Sequence, residues 1–408
     1  MKSKIKVVPI VLFLSVFILL ISCQKQKDDW KGTIEEEDGV TAVKNPKEPM
    51  FGEISLELEE DMSIGREDDE NYLLYRIRDI AVDGLGNIYV VDMGNIRVQV
   101  FDRSGDYLQT IGRAGEGPGE FLSPRRIKID DDDGKIYIVD AGREIEIFDK
   151  EGKFVNRCKQ ERPIGAMTNL WLEKNGNLIV KIFWGNESGN FHALYNMNSQ
   201  GNIGKILGNI GKILVEYPYN EYIENRGGVW VGGSTGYELS LCFEKLDKRR
   251  FIYGYPIEYK LHVVNNEGDV LFIIKKDEPR PTYTSEEVEK HKARQRGPLR
   301  IPPPDVKPYF YQILTDSQGR IYVQRNMTTE GGPIDRTDKE VDVFNNDGYY
   351  LFKTTLPANT YVIRDGLLYV YVLDEEEGGE YVKRYKIRNW GQIKTWDLTK
   401  SIPKSQIP

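Results

Sequence analysis

Cysteine and histidine are the scarcest chemical resource of this chain, three of each in 408 residues. A zinc site or a disulfide framework needs more ligating or pairing material than that. A Ser-His-Asp constellation would have to take its base from His192, His262 or His291. The first two fall on strands and the third in an insertion, so no inward-facing histidine trio is available to a divalent ion. Basic charge is short as well. Lys and Arg number 56 against 64 Asp and Glu, a formal charge of -8, which argues against nucleic acid as a partner. The glycine-rich stretch at 112–119 is followed neither by Gly-Lys-Ser/Thr nor by a helix, so it reads as a crossover and not as a phosphate cradle. What the chain does have is ordinary core material, 39% hydrophobic, and 24 tyrosines, which favour strands.

One sustained apolar run, Val7 to Ile21, follows Lys2, Lys4 and Lys6. It is shorter than the roughly 20 residues that cross a bilayer and has the layout of an export signal. Leu20-Ile21-Ser22-Cys23 resembles a bacterial lipobox. The resemblance implies that residues 1–22 are removed and that Cys23 carries the lipid holding the protein to a membrane of the bacterial envelope. Losing three lysines takes the formal charge from -8 to -11. Residues 23–50 are polar and poorly patterned, and read as a flexible tether. Residues 391–408 read as a tail.

Between these ends the chain repeats itself. DIAVDGLGNIYVVDMGNIRVQVFDRSGDYLQTIG (79–112) is echoed by RIKIDDDDGKIYIVDAGREIEIFDKEGKFV (126–155). Arg78 aligns with Arg125, Asp83 with Asp130, Gly86 with Gly134, and Phe101-Asp102 with Phe148-Asp149. Weaker copies recur as turns before strands at Asn175-Gly176-Asn177, Asp247-Lys248, Ser317-Gln318-Gly319 and Arg364-Asp365-Gly366. A second series of turns includes Ser104-Gly105, Glu151-Gly152, Gln200-Gly201, Glu267-Gly268 and Asp347-Gly348. Apolar or alternating runs lie between the turns. A unit of 40 to 50 residues with four strands, a to d, is a propeller blade. Six first turns against five second turns leave the last unit without a fourth strand, while Ile54 to Ile64 is an orphan strand. Ring closure by that strand gives an all-β, six-bladed propeller over 51–390 and hides two sheet edges.

The segments 78–112 and 112–130 resemble NHL repeats, and the whole chain is similar to six-bladed propeller lipoproteins of bacteria. The resemblance implies the fold; the role of many such proteins is unassigned.

In a four-stranded meander the a–b and c–d turns share one end, and the b–c and d–a connections share the other. Long connections are expected at 113–123, 185–190, 209–236, 277–308, 325–340 and 374–380, all of the second kind. Loops of that length usually serve function. One elaborated face and one bare face follow, and a protein, peptide or glycan would dock on the elaborated face. Residues 277–308 form an insertion between blades four and five, with a capping box at Thr284 and a short helix at 286–294.

Site candidates are Asp92 and Asp140 at the ends of strands b, Arg78, Arg125 and Arg126 beside the funnel, and Trp184 and Arg325 near long loops. Asp and Arg at the funnel mouth could bind a polar ligand or form salt bridges between blades. No cofactor is required. Calcium is a possibility at Asp130 to Asp133, on a tight turn, or at Asp374, Glu375 and Glu376. The rival readings are a metal-dependent hydrolase or lyase with oxygen ligands in the funnel, and a structural scaffold in an envelope complex. Cys158 and Cys242 lie on non-neighbouring blades and are expected as free thiols.

Overall fold

The computed structural model describes residues 30–393 apart from 66–67, 160–164, 174–175, 187–188, 199–215, 220–221, 227–228, 234–240, 295–306, 326–337 and 375–377. Cys23, Glu375, Glu376 and the tail from 394 lie outside the described residues. The chain opens with β1 (Thr33–Glu37), β2 (Val40–Asn45) and β3 (Leu58–Ile64). Blade one is β4 (Ile77–Val82), β5 (Ile88–Asp92), β6 (Arg97–Phe101) and β7 (Tyr107–Ile111). Blade two is β8 (Pro124–Ile129), β9 (Ile136–Asp140), β10 (Glu144–Phe148) and β11 (Phe154–Lys159). Blade three is β12 (Ala166–Leu172), β13 (Leu178–Asn186), β14 (Gly189–Met197) and β15 (Glu216–Tyr219). A hairpin, β16 (Tyr222–Arg226) and β17 (Val229–Gly233), precedes blade four.

Blade four is β18 (Cys242–Lys245), β19 (Arg250–Gly254), β20 (Lys260–Asn265) and β21 (Val270–Lys276), after which comes α1 (Ser285–Arg294). Blade five is β22 (Phe310–Thr315), β23 (Ile321–Arg325), β24 (Lys339–Phe344) and β25 (Tyr350–Leu356). Blade six is β26 (Thr360–Arg364), β27 (Leu367–Leu373) and β28 (Glu380–Ile387), completed by β3. The closure is antiparallel, with Val382 opposite Ile64 and Tyr385 opposite Glu60.

Among the described residues the hydrophobic core is divided into six clusters, each between two neighbouring blades. This explains why strands b read as nearly unbroken apolar runs: both faces of a blade are buried. Ile88 and Val90 pack toward blade six, whereas Tyr89 and Val91 pack toward blade two. The tight turns share one device. Asp102 Oδ1 accepts the N–H groups of Ser104 at 2.7 Å and Asp106 at 2.9 Å, and Asp149, Asn265, Asp316 and Asn345 do the same in later turns. Gly105, at φ 90°, supplies the left-handed residue such a turn needs.

The structure corrects several expectations. Residues 33–45 are not tether: β1 and β2 form a hairpin, and β2 lies parallel to β21 on the outer edge of blade four. The chain then runs beside β25, with Phe51 N–H donating to Leu351 O at 2.8 Å and Ile54 N–H to Lys353 O at 2.8 Å. The N-terminal segment is thus a belt along the outer edges of blades four, five and six. Asn45, 1% exposed, pins it: its amide donates to Gly348 O at 2.8 Å and its carbonyl accepts Tyr350 N–H at 2.8 Å. Glu37 reaches Lys260 and Lys275, which hold its carboxyl down at about 2.

Loop boundaries change too. Strands β13 and β14 are long and nearly meet, so 185–190 is not an elaborated connection. Strand d of blade three is β15, paired with β14, and the turn expected at Gln200-Gly201 lies outside the described residues. A further d–a connection, 65–76, is about as long as the one read at 113–123. The insertion helix is present as α1, starting one residue earlier than the capping box suggested.

Candidate functional site

Strands a, the innermost of each blade, meet one another around the axis. Five of them carry a β-bulge near the end that faces the long connections, one residue in from the strand's start in four blades and two in blade three. The doubled residues are Arg78, Arg125, Thr168, Tyr311 and Tyr361, each skipped in the register between its flanking pairs. Neighbours on either side are buried at every site: Ile77 and Ile80, Pro124 and Ile127, Met167 and Leu170, Phe310 and Ile313, Thr360 and Ile363. Arg78 and Arg125 are exposed, and Thr168, Tyr311 and Tyr361 are half-buried. A bulge re-aims side chains in this way and commonly does so beside functional sites. The result is a polar collar at the loop-face end of the axis.

Arg78, Arg125 and Arg126 therefore lie inside strands a, not ahead of them. Arg126 donates to Arg78 O at 2.8 Å, across the boundary between blades one and two. Arg78 Nε contacts Met93 Sδ at 3.3 Å, and the Arg125 guanidinium has no partner among the described residues. Beside them Asp79, 9% exposed, accepts Ile127 N–H at 3.0 Å, and burial pushes its carboxyl up. In blade three, where blades one and two have Val91 and Val139 on strand b, the register places Lys181. Its ammonium donates to Leu241 O at 2.6 Å, and burial draws it down to about 8.

Asp92 and Asp140 serve differently from the ligand-binding role read for them. Asp92, 0% exposed, accepts Tyr75 N–H at 2.9 Å and pairs with Asn95 and Arg97, each at 2.9 Å. Asp140 accepts the N–H groups of Leu122 at 2.8 Å and Ser123 at 2.6 Å. Both clamp the incoming d–a connection to strand b of their own blade, and neither pairs with Arg78, Arg125 or Arg126. Asp140→Ala strands two part-buried N–H groups and is expected to lower stability by about 1–3 kcal/mol. Urea unfolding measures this, and an unchanged midpoint would show that the crossover is held otherwise.

Arg325 belongs to a buried ion cluster between blades four and five. Lys276 Nζ lies 2.7 Å from Asp342 Oδ2 and 2.8 Å from Glu278 Oε2, with both the Lys276 and Asp342 side chains at 0% exposure. Tyr259 donates to Asp342 at 2.7 Å, Tyr350 also donates to it, and Arg325 reaches Glu278. The sequence reading missed this cluster and two relatives of it. Strands c read V-Q-V, I-E-I and V-D-V, and the central residues Gln99, Glu146 and Asp342 are all 0% exposed. Gln99 holds Asn71 O at 2.9 Å; Glu146 pairs with Arg157, which in turn holds Gly117 O at 2.8 Å. One polar residue inside an apolar strand was the available signal. Trp184 is on β13, and Asp374 starts the b–c connection of blade six, its N–H donating to Gly379 O at 2.9 Å.

The opposite end of the axis is not featureless. A funnel of about 680 Å³ opens there, lined by the last residues of strands a and by their turns, among them Lys128, Trp171, Lys245 and Arg364. The aspartate run of blade two reaches over it. Asp131 pairs with Arg364 of blade six at 3.1 Å, and Asp132 with Lys248 of blade four at 2.8 Å. Exposed pairs of this kind contribute little to stability, but they occupy the carboxylates proposed for calcium. Among the described residues no group of three or more His, Cys, Asp or Glu side chains could hold a metal ion. Cys158 and Cys242 are buried and form no disulfide among the described residues.

His262 on β20 stacks against Tyr253 at 4.7 Å, and burial, aided by Lys260 and opposed by Glu37, draws it down to about 4. An unfolded histidine titrates near 6.5, so the unfolded chain takes up a proton that the fold refuses. His262's contribution is therefore full above about pH 6.5 and falls as pH drops to about 4. His262→Phe is expected to flatten the decline of the urea midpoint over that window; an unaltered slope assigns the decline to other groups.

Fold and collar together define a six-bladed β-propeller with a polar axial mouth on its loop-rich face. Comparison with known proteins agrees on the class. Residues 64–160 match the profile of the DUF5128 family, described as a 6-bladed beta-propeller. A presumed exported protein of Bacteroides fragilis has a TM-score of 0.52 at 12% identity, over 85% of this chain and 99% of that one. A member of the DUF4221 family from Bacteroides vulgatus gives 0.51 at 12% identity, over 81% and 98%. At such identities the likeness shows the fold alone. The Drosophila melanogaster protein brain tumor is 29% identical over 80 residues, 19% of this chain and 8% of its own length. The chain thus spans less than a tenth of that curated relative. The chain is similar to bacterial six-bladed propellers, as its repeats implied.

Proposed function

We propose that this protein is a lipid-anchored recognition protein of the bacterial envelope, binding a protein, peptide or glycan at the loop-rich face without chemistry of its own. Lipidation at Cys23 rests on the lipobox-like sequence, and export is in keeping with the presumed export of the Bacteroides fragilis neighbour. The observation that carries the reading is the recurring bulge. The same local irregularity in five blades presents polar or aromatic side chains at one axial mouth. Among the described residues, the d–a connections 68–76 and 112–123 lie at that same end of the strands. A rigid scaffold with loops of this kind suits recognition.

Two exposed leucines mark the two faces: Leu122, 49% exposed on a d–a connection, and Leu85, 79% exposed on an a–b turn. A photo-crosslinking residue at Leu122 is expected to capture an envelope component in cells, while the same residue at Leu85 captures none. Adducts from Leu85 alone would move the docking face to the other side. Loss of membrane association in Cys23→Ala tests the anchor separately.

A further inference from the structure

The geometry points to an acidic glycan, a sugar chain bearing carboxylates, as the ligand of the axial collar. This rests on the recognition reading above and names the chemistry that the mouth selects. Arg78 and Arg125 are exposed at equivalent bulges of adjacent blades, and Arg126, next to Arg125, bridges to the Arg78 carbonyl at 2.8 Å. Planar forks match carboxylates in a bidentate way and hold their charge at any physiological pH. The whole chain carries -8, so a general attraction for anions is absent and the preference must be local.

The collar changes character around the ring. Blade three contributes Thr168 and Asn169, blade five Tyr311 and Gln312, and blade six Tyr361. Aromatic faces with hydroxyl and amide groups suit a polyhydroxylated ring, whose apolar face stacks while its hydroxyls exchange hydrogen bonds. Groups of blades one, two and six lie close together at this mouth. The charges of Asp79, Arg126, Arg78 and Glu380 all act on the Tyr361 hydroxyl, which burial above all lifts from its usual range. That of Arg126 also reaches Lys181.

An acidic peptide is the less suitable occupant. Peptides held by an extended main chain need a regular strand edge, and each bulge in the a–b pairing bends strand a and raises its twist at the collar itself. Side chains, not backbone, are what this mouth offers.

The test uses the full chain in detergent and titrates three polymers by calorimetry: polygalacturonate, its carboxyl-reduced neutral counterpart, and polyglutamate. Binding of polygalacturonate alone is expected, weakened at least tenfold in Arg78→Gln/Arg125→Gln with the melting temperature unchanged. A Lys248→Gln control at the opposite face is expected to bind as the parent does. Binding of polyglutamate in preference, or equal binding of the neutral polymer, overturns the acidic-glycan assignment while leaving recognition at this face intact. Failure of all three polymers overturns the assignment as well, and the Leu122 crosslink then decides recognition independently. Affinity for polygalacturonate that survives the double substitution moves the site away from the collar.

Discussion

Asp342→Ala is expected to cost about 3–5 kcal/mol of stability, more than any exposed ion-pair substitution in this chain. The reason lies in what stays behind. The Lys276 side chain, at 0% exposure, loses the carboxylate 2.7 Å away. Tyr259 and Tyr350 lose their acceptor in the same step. Their rings lie near the ammonium, at 5.2 and 4.7 Å from centroid to nitrogen, a contact worth only about 0.5–2 kcal/mol and no replacement for the ion pair. Glu278, 2.8 Å from Lys276, remains and keeps the loss toward the lower end of the range. Removing both charges is a different experiment. Asp342→Leu/Lys276→Met leaves no orphaned ion and is expected to be much closer to the parent, since buried pairs often contribute little net of their desolvation. Urea midpoints of the single and double variants measure the coupling, and a double variant no better than Asp342→Ala would show that the charges themselves hold blades four and five together.

That cluster also shows where the sequence stops being readable. Lys276 and Asp342 are separated by 66 positions, and nothing local to either announces the other. The blades themselves were legible because the repeat is local: Asp83, Gly86 and Ile88 recur as Asp130, Gly134 and Ile136, and each copy folds on its own signals. Closure by residues 54–64 was legible by counting strands. The collar was half legible. Arginine at 78 and 125 stood out as a matched pair, but a bulge leaves no compositional mark, so Thr168, Tyr311 and Tyr361 were invisible as partners. The hairpin at 33–45 was misread because Thr33-Ile34-Glu35-Glu36-Glu37 has the composition of a solvated segment. Only the free edge of β21, more than 200 residues away, makes it a strand.

The belt and the closing strand lie on the same stretch of chain, and successive truncations are expected to separate them. A chain beginning at residue 46 lacks β1 and β2 but keeps β3. It should fold, with the outer edge of blade four exposed and Tyr350 N–H deprived of Asn45. A chain beginning at residue 65 is expected to lose cooperative folding altogether. Without β3, blade six has three strands, and β28 presents a bare ladder from Val382 to Ile387 that invites association with other chains. The apolar loss is as serious: Ile64, 0% exposed, and Met62, 9% exposed, belong to the cluster joining blades six and one, and each buried side chain is worth roughly 1.5–3 kcal/mol. Circular dichroism melting and size-exclusion chromatography compare the two truncations directly. A peptide of residues 54–64 supplied in trans should restore a sharp transition to the shorter chain, in proportion to its concentration, because it binds only the folded ring. A sharp unaided transition in the chain beginning at 65 would mean that the ring holds without its closing strand, and the fixed mouth on which Arg78 and Arg125 depend would then need another source of rigidity.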